Sequence, residues 1–197
     1  MKKGIFITFY GINNIGKSTQ ARRLVERLKR LGYDAVFVKY PIYDLPPTGP
    51  KLNQILREHK GETIPENQLQ TLFFENRLEF EPQLKKMLAE GKIVVAEDYT
   101  GTGIAWGKAK GLDQAWIEKI NKNLLREDLP ILLRGKRHVS AREENHIHEQ
   151  DDELVEKVNA ILLQLAKKFD WKVLEIHGSI EEVEEEIWEV VEKFIKS

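Results

Sequence analysis

Lys17 and Ser18 close the stretch Gly11-Ile12-Asn13-Asn14-Ile15-Gly16-Lys17-Ser18, which matches G-x-x-x-x-G-K-[ST] in full. These residue types at this spacing suit one task, holding a chain of phosphates. Glycines let the backbone N–H groups wrap an anion, and the dipole of a following helix faces it. The lysine reaches the β- and γ-phosphates, and the serine hydroxyl ligates Mg²⁺. Gly11, Asn13, Asn14, Ile15, Gly16, Lys17, Ser18 and Thr19 are therefore the expected ATP-binding residues.

Such a loop works only between a buried strand and a helix N-terminus. The apolar run from Gly4 to Tyr10 supplies the strand, and Lys17 to Leu31 has the helical period, with Ala21, Leu24, Val25, Leu28 and Leu31 on one face and Gly32 after it. Short apolar runs alternate with helical patterns along the rest of the chain, as in a parallel sheet covered on both faces. Strands are predicted at about 4–10, 34–39, 92–97, 129–134 and 172–176. Helices are predicted near 50–58, 66–90, 113–125, 152–168 and 179–196, with a kink or break at Pro82. Arg134 to Glu153 is dense in charge and reads as a solvated segment.

The 197 residues suit one α/β domain, here residues 1–197, with no linker or repeat to divide it. Lys and Arg number 31 against 32 Asp and Glu, so no general attraction to nucleic acid or to an anionic membrane is expected. The N-terminus reads as a strand, and no apolar run reaches the length of a membrane span. The absence of cysteine excludes disulfides, thiolate-held metals and thiol catalysis. A soluble cytoplasmic protein is the expectation. His146, His148 and His138 fall in the charged segment and read as polar surface rather than a zinc site.

Further motifs choose among nucleotide-binding proteins. Lys39-Tyr40-Pro41-Ile42-Tyr43 follows the second strand, Leu72-Phe73-Phe74-Glu75-Asn76-Arg77 lies in the long helix, and Glu97-Asp98-Tyr99-Thr100-Gly101-Thr102-Gly103-Ile104-Ala105-Trp106-Gly107 follows the third strand. In this order and spacing the chain resembles the thymidylate kinase family of nucleoside monophosphate kinases. The resemblance implies a P-loop kinase fold, a three-layer sandwich whose five parallel strands run in order 2-3-1-4-5, with a short mobile lid at about 134–150. It implies transfer of the ATP γ-phosphoryl group to a pyrimidine deoxynucleoside monophosphate, most simply dTMP to dTDP, with Mg²⁺ as cofactor and a homodimer built through helices near 50–90. By position, Phe73 stacks on the acceptor base, Arg77 bonds its edge or supports its phosphate, and Tyr99 and Trp106 wall the sugar–base pocket. A cis Tyr40–Pro41 bond shaping that pocket is also implied.

Three positions depart from the family pattern. Its Asp-Arg-Tyr reads Glu97-Asp98-Tyr99, and a phosphate-gripping arginine is replaced by Tyr43. The catalytic arginine of the loop or lid is replaced by Asn14 and Ile147. Glu97 can take over metal duty beside Ser18. Asp98 cannot grip a phosphate, because two like charges about 4 Å apart repel by about 4 kcal/mol at an effective dielectric of 20. Asp98 is therefore expected to turn away, to bind the sugar hydroxyl or to pair with a cation such as Arg77. Lys17, Glu97 and Arg142 are the catalytic candidates. Arg142 matches a lid arginine over adenine by spacing, and Arg134, Lys136 and Arg137 are further cations. Tyr43, Phe73, Arg77, Asp98, Tyr99 and Trp106 are the acceptor-binding candidates. The stripped acceptor side keeps two alternatives open: a nucleoside kinase with Glu97 or Asp98 as general base, and a nucleotide binder that has lost transfer chemistry.

Overall fold

A computed structural model describes residues 4–57, 64–135 and 152–196. The elements in chain order are β1 (Ile5–Tyr10), α1 (Lys17–Arg30), β2 (Ala35–Lys39), α2 (Thr48–Arg57), α3 (Glu66–Ala89) and β3 (Ile93–Glu97). There follow α4 (Thr100–Ala109), α5 (Gln114–Asn121), β4 (Leu129–Gly135), α6 (Asp152–Lys168), β5 (Lys172–Ile176) and α7 (Ile180–Lys196). The strands form one parallel sheet in the order β2-β3-β1-β4-β5.

The central strands explain themselves. Phe6, Ile7 and Phe9 of β1 and Val94, Val95 and Ala96 of β3 are fully buried, as expected for strands covered on both faces. Register pairs Phe9 with Glu97 and Val38 with Ala96, so β1, β2 and β3 end level with one another. Their carboxyl ends open at the point where the chain changes direction across the sheet, the usual ligand crevice of such folds. A second apolar cluster of Leu52, Ile55, Leu56, Leu69 and Leu72 joins α2 to α3 beside that crevice.

Each predicted strand and helix is present, with differences at three places. Helix α3 is continuous through Pro82, so of the kink or break expected there the break does not occur; Phe80, Glu81 and Leu84 bury their side chains on either side and outweigh one lost backbone bond. Helix α5 is shorter than 113–125; Asp113 caps it by accepting from Ala115 N and Trp116 N at 3.2 Å each. Leu31 leaves the apolar face of α1 and is 54% exposed, since the helix ends at Arg30 before Gly32 turns the chain at φ 84°. Helix α4 was not predicted. The Tyr40–Pro41 bond is cis as anticipated, and Pro46–Pro47 is cis as well.

Candidate active site

A cleft of about 350 Å³ opens at the carboxyl ends of β1, β2 and β3. That size suits a small-molecule ligand. Along one side lie Asn13, Asn14, Gly16, Lys17, Ser18 and Thr19; along the other lie Tyr43, Arg57, Gln70, Phe73, Arg77 and Trp106, with Glu97 and Asp98 between.

The phosphate-loop side is built by backbone conformation. Gly16 sits at φ 97°, a value costly for any residue with a Cβ, and it delivers the chain directly into α1. Lys17 is only 4% exposed; its Nζ donates to the carbonyls of Gly11 and Ile12, both at 3.0 Å. The next residue, Ser18, donates from Oγ to Glu97 Oε2 at 2.5 Å. Lys39 Nζ lies 3.1 Å from Glu97 Oε1 and 3.4 Å from Ser18 Oγ. Two hard oxygen donors at this spot thus already hold a cationic group, and the donor set suits Mg²⁺. Lys39 is 42% exposed and has room to withdraw toward solvent.

Asp98 follows β3 at φ 61°, so strand alternation no longer dictates its direction. Its carboxylate turns toward the loop, 3.8 Å from Lys17 Nζ, and accepts from Thr102 Oγ1 at 2.8 Å. Burial raises its pKa above the ordinary aspartate value, and the nearby Lys17 opposes that rise. Of the partners foreseen for Asp98, the observed cation is Lys17 rather than Arg77.

Helix α3 shapes the far wall. Asn76 is fully buried and clamps the turn after β2: its Oδ1 accepts from Ile42 N at 2.7 Å, and its Nδ2 donates to Ile42 O and Thr48 Oγ1 at 3.0 Å each. One residue on, Arg77 is 5% exposed and donates to Asn121 Oδ1 at 3.3 Å. Its guanidinium lies 6.0 Å from the Phe73 ring centroid, and its Nε has no hydrogen-bond partner. No carboxylate among the described residues lies within ion-pair distance of it. Burial lowers its pKa from the usual guanidinium value. Arg57 stacks over the Tyr43 ring at 4.5 Å, which brings a second guanidinium to the cleft edge.

A strand–glycine loop–helix cradle facing a pocket of aromatic rings and guanidinium groups is what a phosphotransferase acting on nucleotides needs. The thymidylate kinase family model matches residues 9–187, almost the whole chain. The chain belongs to the thymidylate kinase family. It is therefore a nucleoside monophosphate kinase, of the family that phosphorylates dTMP to dTDP with ATP. It is similar to a probable thymidylate kinase of Thermococcus onnurineus, 33% identical over 206 aligned residues that span 95% of this chain and 97% of that one. A thymidylate kinase of Nitrosomonas eutropha is 29% identical over 98% of this chain and 95% of its own. Among solved structures, the Candida albicans thymidylate kinase superposes with a TM-score of 0.85 at 24% identity, covering 97% of this chain and 92% of that one. That likeness speaks for the fold.

Most thymidylate kinase positions named from the sequence meet at the cleft: Asn13, Asn14, Gly16, Lys17, Ser18, Thr19, Tyr43, Phe73, Arg77, Glu97, Asp98 and Trp106 all line it. Gly11 and Ile15 lie beneath the loop, buried. Tyr99 does not line the cleft. It is 1% exposed, packed edge-on to Phe6 at 5.1 Å and beside Tyr40 at 5.0 Å, because the chain turns it into the core. Arg134 is drawn to β5, where it pairs with Glu175 at 2.5 Å. Arg142, Lys136, Arg137 and the three histidines near them, together with most of the 134–150 lid, fall outside the described residues. Sequence reasoning missed Gln70 and Thr102 as lining residues, and it missed Asn76 and Asn121 as the groups that hold the wall. The i, i+4 spacing of Glu66 and Gln70 on one helix was the available signal for Gln70.

Proposed function

We propose that this chain phosphorylates dTMP with Mg·ATP, the triphosphate lying along the 11–19 loop and the monophosphate between Phe73, Arg77 and Trp106. The observation that carries the acceptor assignment is the charge of the cleft wall. Lys17, Lys39, Arg57 and Arg77 line it against only Glu97 and Asp98, so the cleft attracts anions even though a family arginine has become Asp98. Arg57, held over Tyr43, replaces by another route the phosphate-gripping arginine whose position Tyr43 occupies. Acceptor binding by this wall is what separates a monophosphate kinase from a nucleoside kinase.

Ser18 and Glu97 are the residues that would hold Mg²⁺, which when bound neutralises charge on the transferring phosphates. Lys17 stabilises the charge that develops on the phosphoryl oxygens. An oxygen of the acceptor phosphate bonds to the γ-phosphorus as the bond from that phosphorus to the β–γ bridging oxygen breaks, leaving ADP. Trp106 and Phe73 exclude water beside the acceptor. Arg142 is proposed to supply a further cation from the lid at about 134–150, within a single domain spanning 1–197. A homodimer through α2 and α3 is proposed, supported by the exposed Leu78 on α3. A cytoplasmic site of action is proposed as well, supported by the absence of cysteine.

Thymidine, which lacks the phosphate, is the competing acceptor, favoured by the Asp98 carboxylate, a group of the type that serves as base toward a hydroxyl. Steady-state kinetics of the native protein and Arg57→Ala on dTMP and on thymidine test the assignment. Loss of Arg57 should raise KM for dTMP about tenfold, as for one charged hydrogen bond, and leave KM for ATP unchanged. Turnover of thymidine but not dTMP would overturn it.

A further inference from the structure

We infer that Gln70, set in one orientation by Glu66, reads the Watson–Crick edge of the acceptor base and selects thymine or uracil over cytosine; this rests on the monophosphate reading above. Gln70 is buried in α3 and lines the cleft. Its Nε2 donates to Glu66 Oε1, one helical turn earlier, at 2.8 Å. A carboxylate only accepts hydrogen bonds, so the amide nitrogen must face Glu66 and the amide oxygen must face the other way. Lys110 Nζ, 3.2 Å from Glu66 Oε2, holds that carboxylate in place.

The amide oxygen therefore has a fixed neighbour. A side chain at Gly103 would begin 3.0 Å from Gln70 Oε1 and 3.0 Å from Arg77 Nη2, so these two atoms flank the same point of the cleft wall. One only accepts and the other only donates. Thymine and uracil present the mirror of that pair, an N3–H donor beside an O4 acceptor. Cytosine presents the reverse, an unprotonated N3 beside an amino donor, and would set acceptor against acceptor and donor against donor. Gly103 has no side chain to cover the pair, and Phe73 and Trp106 supply flat surfaces nearby. Arg77 alone would favour an acceptor atom on the base. The oriented amide adds a second polarity, and the two together distinguish the bases.

Equilibrium binding of dTMP, dUMP and dCMP, followed by the fluorescence of Trp106 in the cleft, tests this without requiring turnover. The native protein should bind dTMP about 100-fold more tightly than dCMP, because a reversed edge leaves buried polar groups unpaired. dUMP, with the same edge and no methyl group, should be discriminated from dCMP in the same direction. Gln70→Leu should cut the dTMP-to-dCMP preference about tenfold. Glu66→Ala is the sharper variant, since it frees the amide to rotate: dCMP binding should rise while dTMP binding changes little. A residue that merely supported the helix would weaken both ligands together. An unchanged preference in both variants, or equal binding of dTMP and dCMP by the native protein, overturns the inference. Tight, selective dTMP binding without phosphoryl transfer would overturn the kinase reading and leave the role of Gln70 standing.

Discussion

Arg77→Met should make the protein more stable and a poorer enzyme at once. The native guanidinium is 5% exposed, with one 3.3 Å hydrogen bond to Asn121, and its distance of 6.0 Å from the Phe73 ring lies at the limit of a useful cation–π contact. Burying an ion this way costs several kcal/mol, and replacing buried ionic groups by apolar ones of similar size is neutral or stabilising by about 1–4 kcal/mol. Loss of the Asn121 bond takes back about 1 kcal/mol. The net expectation is about 0–3 kcal/mol of added stability, each kcal/mol raising Tm by about 2–4 °C at this chain length. Against that, a hydrogen bond from a charged donor to the acceptor is worth about 1.5–3 kcal/mol, so kcat/KM for dTMP should fall roughly 10–150-fold with KM for ATP unchanged. Calorimetric melting and steady-state kinetics on one preparation supply both readings. A variant that melts well below the native protein while keeping its kcat/KM for dTMP would show that Arg77 serves the core.

Three further outcomes follow from the same geometry. Lys17→Met should lower kcat about 10³-fold, the cost of losing a group aimed at developing charge, while the far-UV spectrum stays native; unchanged turnover would remove Lys17 from the mechanism. Glu97→Gln and Ser18→Ala should each raise the Mg²⁺ concentration needed for half-maximal activity, and activity should vanish on chelation; a metal titration curve identical to that of the native protein would place the ion elsewhere. Asp98→Asn tests the raised carboxyl pKa. Because its pKa is higher folded than unfolded, the folded state binds more protons between the two values, and stability is lost as pH rises through that window from the acid side. The stability gained by the variant, measured by urea midpoints, should therefore grow as pH increases from about 4 to 7; a gap that shrinks would reverse the sign.

Local chemistry made half of this site legible. The 11–18 loop, its strand and its helix are contiguous, so residue types alone located the phosphate cradle. Motifs near 39–43, 72–77 and 97–107 brought in the acceptor side through resemblance. Helix α4 escaped because Gly101, Gly103 and Gly107 are poor helix formers. The structure shows what they serve: Trp171 packs on Gly101, Gln70 and Arg77 on Gly103, and Ile117 on Gly107, so tertiary packing overrides propensity. Tyr99 was misplaced because an aromatic at a strand end suits a pocket wall and a core equally well. Asp98 escapes strand alternation because it lies just beyond β3, at positive φ. Gln70 enters from α3, remote in sequence from the phosphate loop, so tertiary packing and not local sequence brings it to the shared cleft.

The most direct test of the central claim is ³¹P NMR of the native protein with Mg·ATP and dTMP. ADP and dTDP should appear in equal amounts, with no turnover when thymidine replaces dTMP. Inorganic phosphate and ADP without dTDP, or dTMP formed from thymidine, would contradict the account.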